Sequence, residues 1–196
     1  MTDTCCFDVI NKTVRELQAQ HEELPVLSVM HPGMPDFADV FQTADMFIFI
    51  EKCGKGSDGK CRSMRGVDIT EFTDQVFSNY SQINPRATSF GVGDGGNEIC
   101  CGNFEFKNLT PKNIKCTVPT NGAILCDISN LGALLLSRTI VRQSDLEYFR
   151  THLTEGELVE LLVKNGAVDG VLGQRVVSVD AMDFRQYAEI CRQLWE

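Results

Sequence analysis

A chain of 196 residues is long enough to bury a substantial core as one domain, and its balance of apolar and charged side chains is that of a globular protein rather than a disordered one. Its formal net charge of -9 and isoelectric point near 4.8 exclude an extended nucleic-acid or anionic-membrane surface, since either requires clustered Lys and Arg. No apolar run reaches the length that spans a bilayer.

The start Met1-Thr2-Asp3-Thr4-Cys5-Cys6 lacks a basic region followed by an apolar core, so it does not read as a secretory leader. The nine cysteines are therefore expected as reduced thiols. They include no Cys-x-x-Cys and no neighbouring pair of histidines, which argues against structural zinc. Without secretion, the sequons at Asn11, Asn79 and Asn108 are uninformative. The same acidic, Arg-poor start does not resemble a transit peptide. The cytoplasm is the default compartment, with the mitochondrial matrix as the alternative.

Phe7, Ile10, Val14, Leu17 and Leu24 share one helical face, on which His21 sits as a packing residue, and Pro25 is expected to end the helix. A short helix over residues 36–43 and an apolar strand over 46–50 ending in Glu51 follow. Asp68 and Glu71 have the spacing of a capping box ahead of Ile69, Phe72, Val76, Phe77, Tyr80 and Ile83, which predicts an amphipathic helix. Residues 87–92 read as a buried strand. Residues 114–118 and 123–128 read as two more strands, joined by a turn at Thr120-Asn121-Gly122.

Ser129-Asn130 is placed to cap the helix carrying Leu134, Leu135, Leu136 and Ile140. Thr154 and Glu157 form a second capping box, and Asn165-Gly166 closes the helix behind it. A strand over 176–179 and a helix with Phe184, Tyr187, Ala188, Cys191, Leu194 and Trp195 on its apolar face complete the chain. Strands alternating with helices predict a single α/β domain, a layered sandwich with a mostly parallel sheet.

Two glycine motifs invite nucleotide readings that fail on detail. Gly54-Lys55-Gly56-Ser57-Asp58-Gly59-Lys60 has P-loop spacing, but Cys61 stands where a Ser or Thr hydroxyl would hold magnesium, and Asp58 would repel phosphate. Gly91, Gly93 and Gly96 match a dinucleotide fingerprint, but Asp94 would lie against the pyrophosphate and no ribose-binding acid follows at the next strand end.

The loop Gly93-Asp94-Gly95-Gly96-Asn97-Glu98, emerging where a strand ends, instead concentrates acid–base chemistry. Asp94 and Glu98 suit a general acid and base, or the oxygen ligands of magnesium or manganese. The amides of Gly95 and Gly96 could form an anion nest. A solvated turn, in which glycine merely permits positive φ, is the structural alternative. Taken singly, Glu51, Asp58, Arg65, Ser129, Asn130, Asp169 and Asp180 also read as surface, turn or cap residues.

In order along the chain, Glu51, the glycine-rich residues 54–59, Met64-Arg65-Gly66-Val67-Asp68-Ile69, Gly93-Asp94-Gly95-Gly96-Asn97-Glu98, Ser129-Asn130 with Gly132, Gly166-Ala167-Val168-Asp169-Gly170-Val171 and Ser178-Val179-Asp180 resemble the D-glutamate cyclase family over residues 44–195. The resemblance implies a lyase that converts D-glutamate to 5-oxo-D-proline and water without a cofactor. Asp94 and Glu98 would be its acid–base pair, and Asn97, Gly95 and Gly96 its oxyanion donors. Arg65 would clamp a substrate carboxylate, with Glu51, Asp58, Ser129, Asn130, Asp169 and Asp180 lining the substrate site.

The chain departs from the pattern at Cys100-Cys101 for Gly-Met, Leu131 for Trp, Ala133 and Ala181 for Gly, and Cys61-Arg62 for aromatic residues. The family's upstream α/β segment has no expected counterpart before residue 44. A catalytically impaired glutamate- or 5-oxoproline-binding protein and a divalent-metal hydrolase stand as alternatives. A small-molecule amino acid is the expected partner, and a homo-oligomer is compatible with the sequence.

Overall fold

In a computed structural model, which describes residues 1–22, 24, 27–105, 113–143 and 154–195, the chain runs α1 (Phe7–Gln20), α2 (Phe37–Thr43), β1 (Met46–Ile50), α3 (Tyr80–Ile83), β2 (Thr88–Gly93), β3 (Gly122–Leu125), α4 (Ser129–Gln143), α5 (Glu155–Lys164), β4 (Ser178–Val179), β5 (Met182–Asp183) and α6 (Phe184–Trp195). Two compact units result. One comprises Asp3–Cys5 and His31–Ala133; the other comprises Met1–Thr2, Cys6–Met30 and Leu134–Glu196. The fold class is α/β. Pro25 and the sequon at Asn108 lie outside the described residues.

The first unit holds a three-stranded parallel sheet in the order β1-β2-β3, with Ile48 opposite Phe90 and Phe90 opposite Gly122. In β1 the sequence Met-Phe-Ile-Phe-Ile alternates faces, burying Phe47 and Phe49 and exposing Met46, Ile48 and Ile50. Phe47 packs on Phe41 at a centroid distance of 4.7 Å and Phe49 on Tyr80 at 4.9 Å; Phe37 and Phe77 extend the cluster. Each such buried ring contributes roughly 1.5–3 kcal/mol. The Tyr80 hydroxyl shares a 2.8 Å bond with Ser89 Oγ and lies 2.8 Å from the Pro119 carbonyl, so the one polar atom of the cluster is satisfied.

The helix expected after Asp68 is instead broken into 3-10 turns at Thr70–Phe72 and Phe77–Asn79, followed by α3. Asp68 is the reason at the start. Its Oδ1 accepts from the Thr70 amide and hydroxyl and its Oδ2 from Lys60, so no capping box forms with Glu71. Further on, the Asp74 amide donates to Asp3 Oδ1 at 2.7 Å rather than to a helical carbonyl. Residues 114–118 are likewise not a sheet strand: Cys116 and Thr117 donate to Gly96 and Lys55, and Val118 accepts from Cys100. β3 pairs parallel to β2, so the 120–122 turn does not build a hairpin.

In the second unit, α1 buries Thr13 and Leu17. Against α5, Asn165 Nδ2 donates to Thr13 Oγ1 at 3.2 Å and Lys164 pairs with Glu16 at 2.8 Å. The capping box of α5 forms as its sequence predicts, with Thr154 Oγ1 accepting from the Glu157 amide and Glu157 Oε2 accepting from the Thr154 amide. α1 ends at Gln20, where the His21 amide donates to the Leu17 carbonyl, so Leu24 lies beyond it. β4 and β5 form an antiparallel hairpin ahead of α6, which buries Tyr187 and Cys191.

Candidate active site

Parallel pairing makes β1, β2 and β3 end at one edge, the edge where open α/β sheets bind ligands. Glu51 is the first residue past β1 and Asp94 the first past β2. A carboxylate oxygen of each lies within 4.8 Å of the other. Glu51 is exposed and holds a φ of 51°, a left-handed conformation that costs an L-residue about 1–2 kcal/mol. Such strain is characteristic of functional positions. Asp94 is open to solvent, while the residues on either side of it in the loop are buried.

Asp94 Oδ2 accepts from the Ser129 amide at 2.9 Å and the Ser129 hydroxyl at 2.8 Å. Ser129 is fully buried at the first turn of α4, so the carboxylate itself caps that helix and meets its positive end. Ser129 therefore orients Asp94, and Asn130 lies exposed in the same turn. Gly132, one turn on, lets α4 approach β2: a Cβ there would fall 2.7 Å from Val92 Cγ1.

Glu98 points the other way. Its carboxylate is buried, with Oε1 accepting from the Gly95 amide and Oε2 from the Gly96 amide, each at 2.8 Å, and the Cys101 thiol adds a contact at 3.3 Å. The two amides offered by the sequence as an anion nest are thus occupied by the loop's own acid. A Cβ on Gly93 would sit 2.8 Å from Glu98 Oε2, so glycine is what allows the side chain to fold back. Asp94 and Glu98, paired by sequence, have separate partners. Cys101 was not among the sequence-predicted site residues, and only its position three residues after Glu98 hints at the contact.

Asn97 is buried and its amide donates to the Arg62 carbonyl at 2.7 Å. Next along the chain, Met64 Sδ covers Gly95 so closely that a side chain there would clash. These two contacts lay residues 62–64 over the acid loop and bring the exposed Arg65 to its border. Asp58 instead forms a bidentate pair with Arg62, at 3.0 and 2.6 Å, and this guanidinium, followed by the Lys60 amide, holds its carboxyl down to about 2. Asp58 lies within the P-loop-like segment, which makes no helix, and Arg62 just beyond it.

Asp169 belongs to the second unit and is 8% exposed. Its Oδ1 accepts from the Val171 and Leu172 amides at 2.9 and 2.8 Å, and its Oδ2 from the Ser178 hydroxyl and the Ala181 amide at 2.5 and 3.0 Å. Burial works to raise its pKa, but the Ser178 hydroxyl and the three amides outweigh that and hold it below the ordinary value. Asp180 and Ala181 are the two central residues of the β4–β5 turn, with φ of 49° and 63°. That is the double left-handed geometry for which Asp-Gly is preferred.

The D-glutamate cyclase-like, C-terminal family matches residues 1–195. A Homo sapiens protein described as D-glutamate cyclase, mitochondrial, is 24% identical over 182 residues, covering 76% of this chain and 29% of its own length. The family match begins at residue 1 rather than 44, so α1 and α2 are part of the shared unit. Cys100, with a φ of 121°, and Ala181, with a φ of 63°, are non-glycine residues held in positive-φ backbone, where glycine would carry no steric cost. Matched over nearly its whole length, the chain belongs to the D-glutamate cyclase-like, C-terminal family.

Proposed function

We propose that the chain is a lyase converting D-glutamate to 5-oxo-D-proline and water at the carboxyl edge of its parallel sheet. Family membership supports the reaction class, and the name of the human relative supports D-glutamate as substrate. The observation that carries the reading is the approach of Glu51 and Asp94 to within 4.8 Å where β1 and β2 end.

The substrate's amine and γ-carboxyl belong to one molecule, so holding the chain bent supplies proximity without ATP or a redox group. The amine nitrogen attacks the γ-carboxyl carbon, a C–N bond forms and a C–O bond breaks. Two protons of the ammonium leave with that oxygen as water. Within this reading, one of Glu51 and Asp94 accepts a proton from nitrogen and the other delivers one to the departing oxygen. Arg65 binds a carboxylate of the substrate as a planar cation. Glu98 becomes a positioning residue, because its oxygens are already engaged by Gly95 and Gly96.

Incubation of the purified chain with D- and L-glutamate, followed by chiral chromatography of 5-oxoproline, tests the reading. Product from the D isomer is expected. A folded sample that turns over neither isomer removes the proposal, and stabilisation by D-glutamate without product would mark a binding protein instead.

A further inference from the structure

The alternation of β1 breaks just past its end. Phe47 and Phe49 are buried while Ile48 and Ile50 are exposed, so an extended continuation would bury Glu51 and expose Lys52. The opposite is observed: Glu51 is exposed, and the Lys52 side chain is only 14% exposed. The φ of 51° at Glu51 interrupts the alternation, leaving the acid at the sheet edge and sending the next side chain inward. There the Lys52 ammonium lies 5.0 Å from the centroid of the buried Phe77 ring and 3.0 Å from Asp3 Oδ2, and it donates to the Cys53 carbonyl at 3.2 Å. Asp3 is itself held in place. Its Oδ1 accepts from the Asp74 amide at 2.7 Å, and Asp74 Oδ2 in turn accepts from the Thr4 amide and hydroxyl at 2.6 and 2.9 Å. The backbone on both sides is anchored as well, with the Glu51 amide donating to the Val92 carbonyl at 2.9 Å and the Lys52 carbonyl accepting from Ile99 at 2.8 Å.

We propose that Lys52 and Asp3 are positioning residues that hold Glu51 in its left-handed conformation and so keep its carboxylate beside Asp94. The inference rests on the reading of Glu51 as one of the acid–base pair. A left-handed L-residue persists only where its surroundings over-determine it. The two backbone bonds fix where the chain runs, and the ion pair fixes which side chain faces inward. Once turned in, the Lys52 charge is shielded from water, so it is stable there only with Asp3 as its partner and the Phe77 face beneath it. Without the charge of Asp3 the ammonium gains by turning out to solvent. Glu51 then relaxes toward the extended region that the rest of β1 occupies, and its carboxylate leaves the position facing Asp94. Asp3 is suited to this part because its two oxygens divide the contacts, one tied to the Asp74 amide and the other to the cation.

The first experiment needs no turnover. Glu51→Gly removes the left-handed cost, so its effect on the melting temperature of the full chain reports the strain, and a gain of about 2–4 °C is expected. In Asp3→Asn, which keeps an acceptor for the Asp74 amide but loses the charge, the same substitution should gain less than half as much. Lys52→Met should behave as Asp3→Asn does. Equal gains in all three backgrounds would overturn the proposal. The second experiment is kinetic. With D-glutamate, Asp3→Asn and Lys52→Met should lower kcat by about tenfold or more with KM little changed, whereas Lys52→Arg, which keeps the cation, should retain most of it. An unchanged kcat in Asp3→Asn would overturn the proposal equally. Absence of turnover by the native chain would remove the proposed reaction instead, and the melting comparison would then decide the positioning role.

Discussion

Asp169 accepts four hydrogen bonds inside its own loop and is almost wholly buried, whereas Asp94 accepts two, both from Ser129, and stays open to solvent. Both acids lie in glycine-containing loops, Asp94 read from the sequence as an acid–base residue and Asp169 as part of the substrate site. Geometry separates them. A carboxylate whose lone pairs are filled by amides holds a loop in shape; one anchored through a single oxygen at a strand end keeps the other for a reacting molecule. Glu98 repeats the lesson within a single loop, since it is four residues from Asp94 yet has both oxygens turned onto Gly95 and Gly96.

Substitutions can break this contrast. Asp94→Asn, or Glu51→Gln, should lower turnover of D-glutamate by roughly 10²–10⁴-fold, the range for removing a general acid or base, while the melting temperature changes little. Asp169→Asn should do the reverse. It leaves an NH2 group facing backbone donors and should cost about 3 kcal/mol in denaturant unfolding, with the rate per folded molecule retained. Glu98→Gln should fall between the two, losing about 2 kcal/mol by the same measurement because one glycine amide loses its acceptor. A Glu98→Gln protein of unchanged stability that lacks turnover would return Glu98 to the acid–base pair.

Acid sharpens the comparison further. The folded Asp169 carboxyl titrates below its unfolded value, so its contribution is complete above the ordinary aspartate range near 3.9 and is lost as pH falls through the lower folded value. Thermal melts between pH 5 and pH 2 should therefore decline more steeply for the native chain than for Asp169→Asn. The smallest effect concerns the hairpin beside it. Ala181→Gly removes a left-handed alanine and should stabilise the protein by about 1 kcal/mol in the same melts. Cys100→Gly is not expected to match it, because the fully buried Cys100 side chain packs on Gly91 and would leave a gap.

Apolar runs and helical spacing located β1, β2, α2, α4, α5 and α6, and α5 also forms the capping box its sequence predicts. It misread residues 68–83, where the interrupting acceptor is Asp3, 71 residues away, and residues 114–118, whose backbone serves two loops instead of a sheet. The candidate site divides in the same manner. Glu51 and Asp94 were legible as acids at strand ends. The capture of Asn97 by the Arg62 carbonyl was not, since it depends on how segments distant in sequence are laid together, and the inward turn of Glu98 onto its own loop amides was not, since spacing alone does not say which way a carboxylate faces. Cys100 and Ala181 were expected to stand in for glycine, and their positive φ is the physical reason glycine would suit both positions.

The most direct measurement is the initial rate of 5-oxo-D-proline formation from D-glutamate by the native chain and by Asp94→Asn, compared at a temperature where both are folded. The account predicts turnover by the native chain and its loss in the variant. Turnover by Asp94→Asn at the native rate would contradict it.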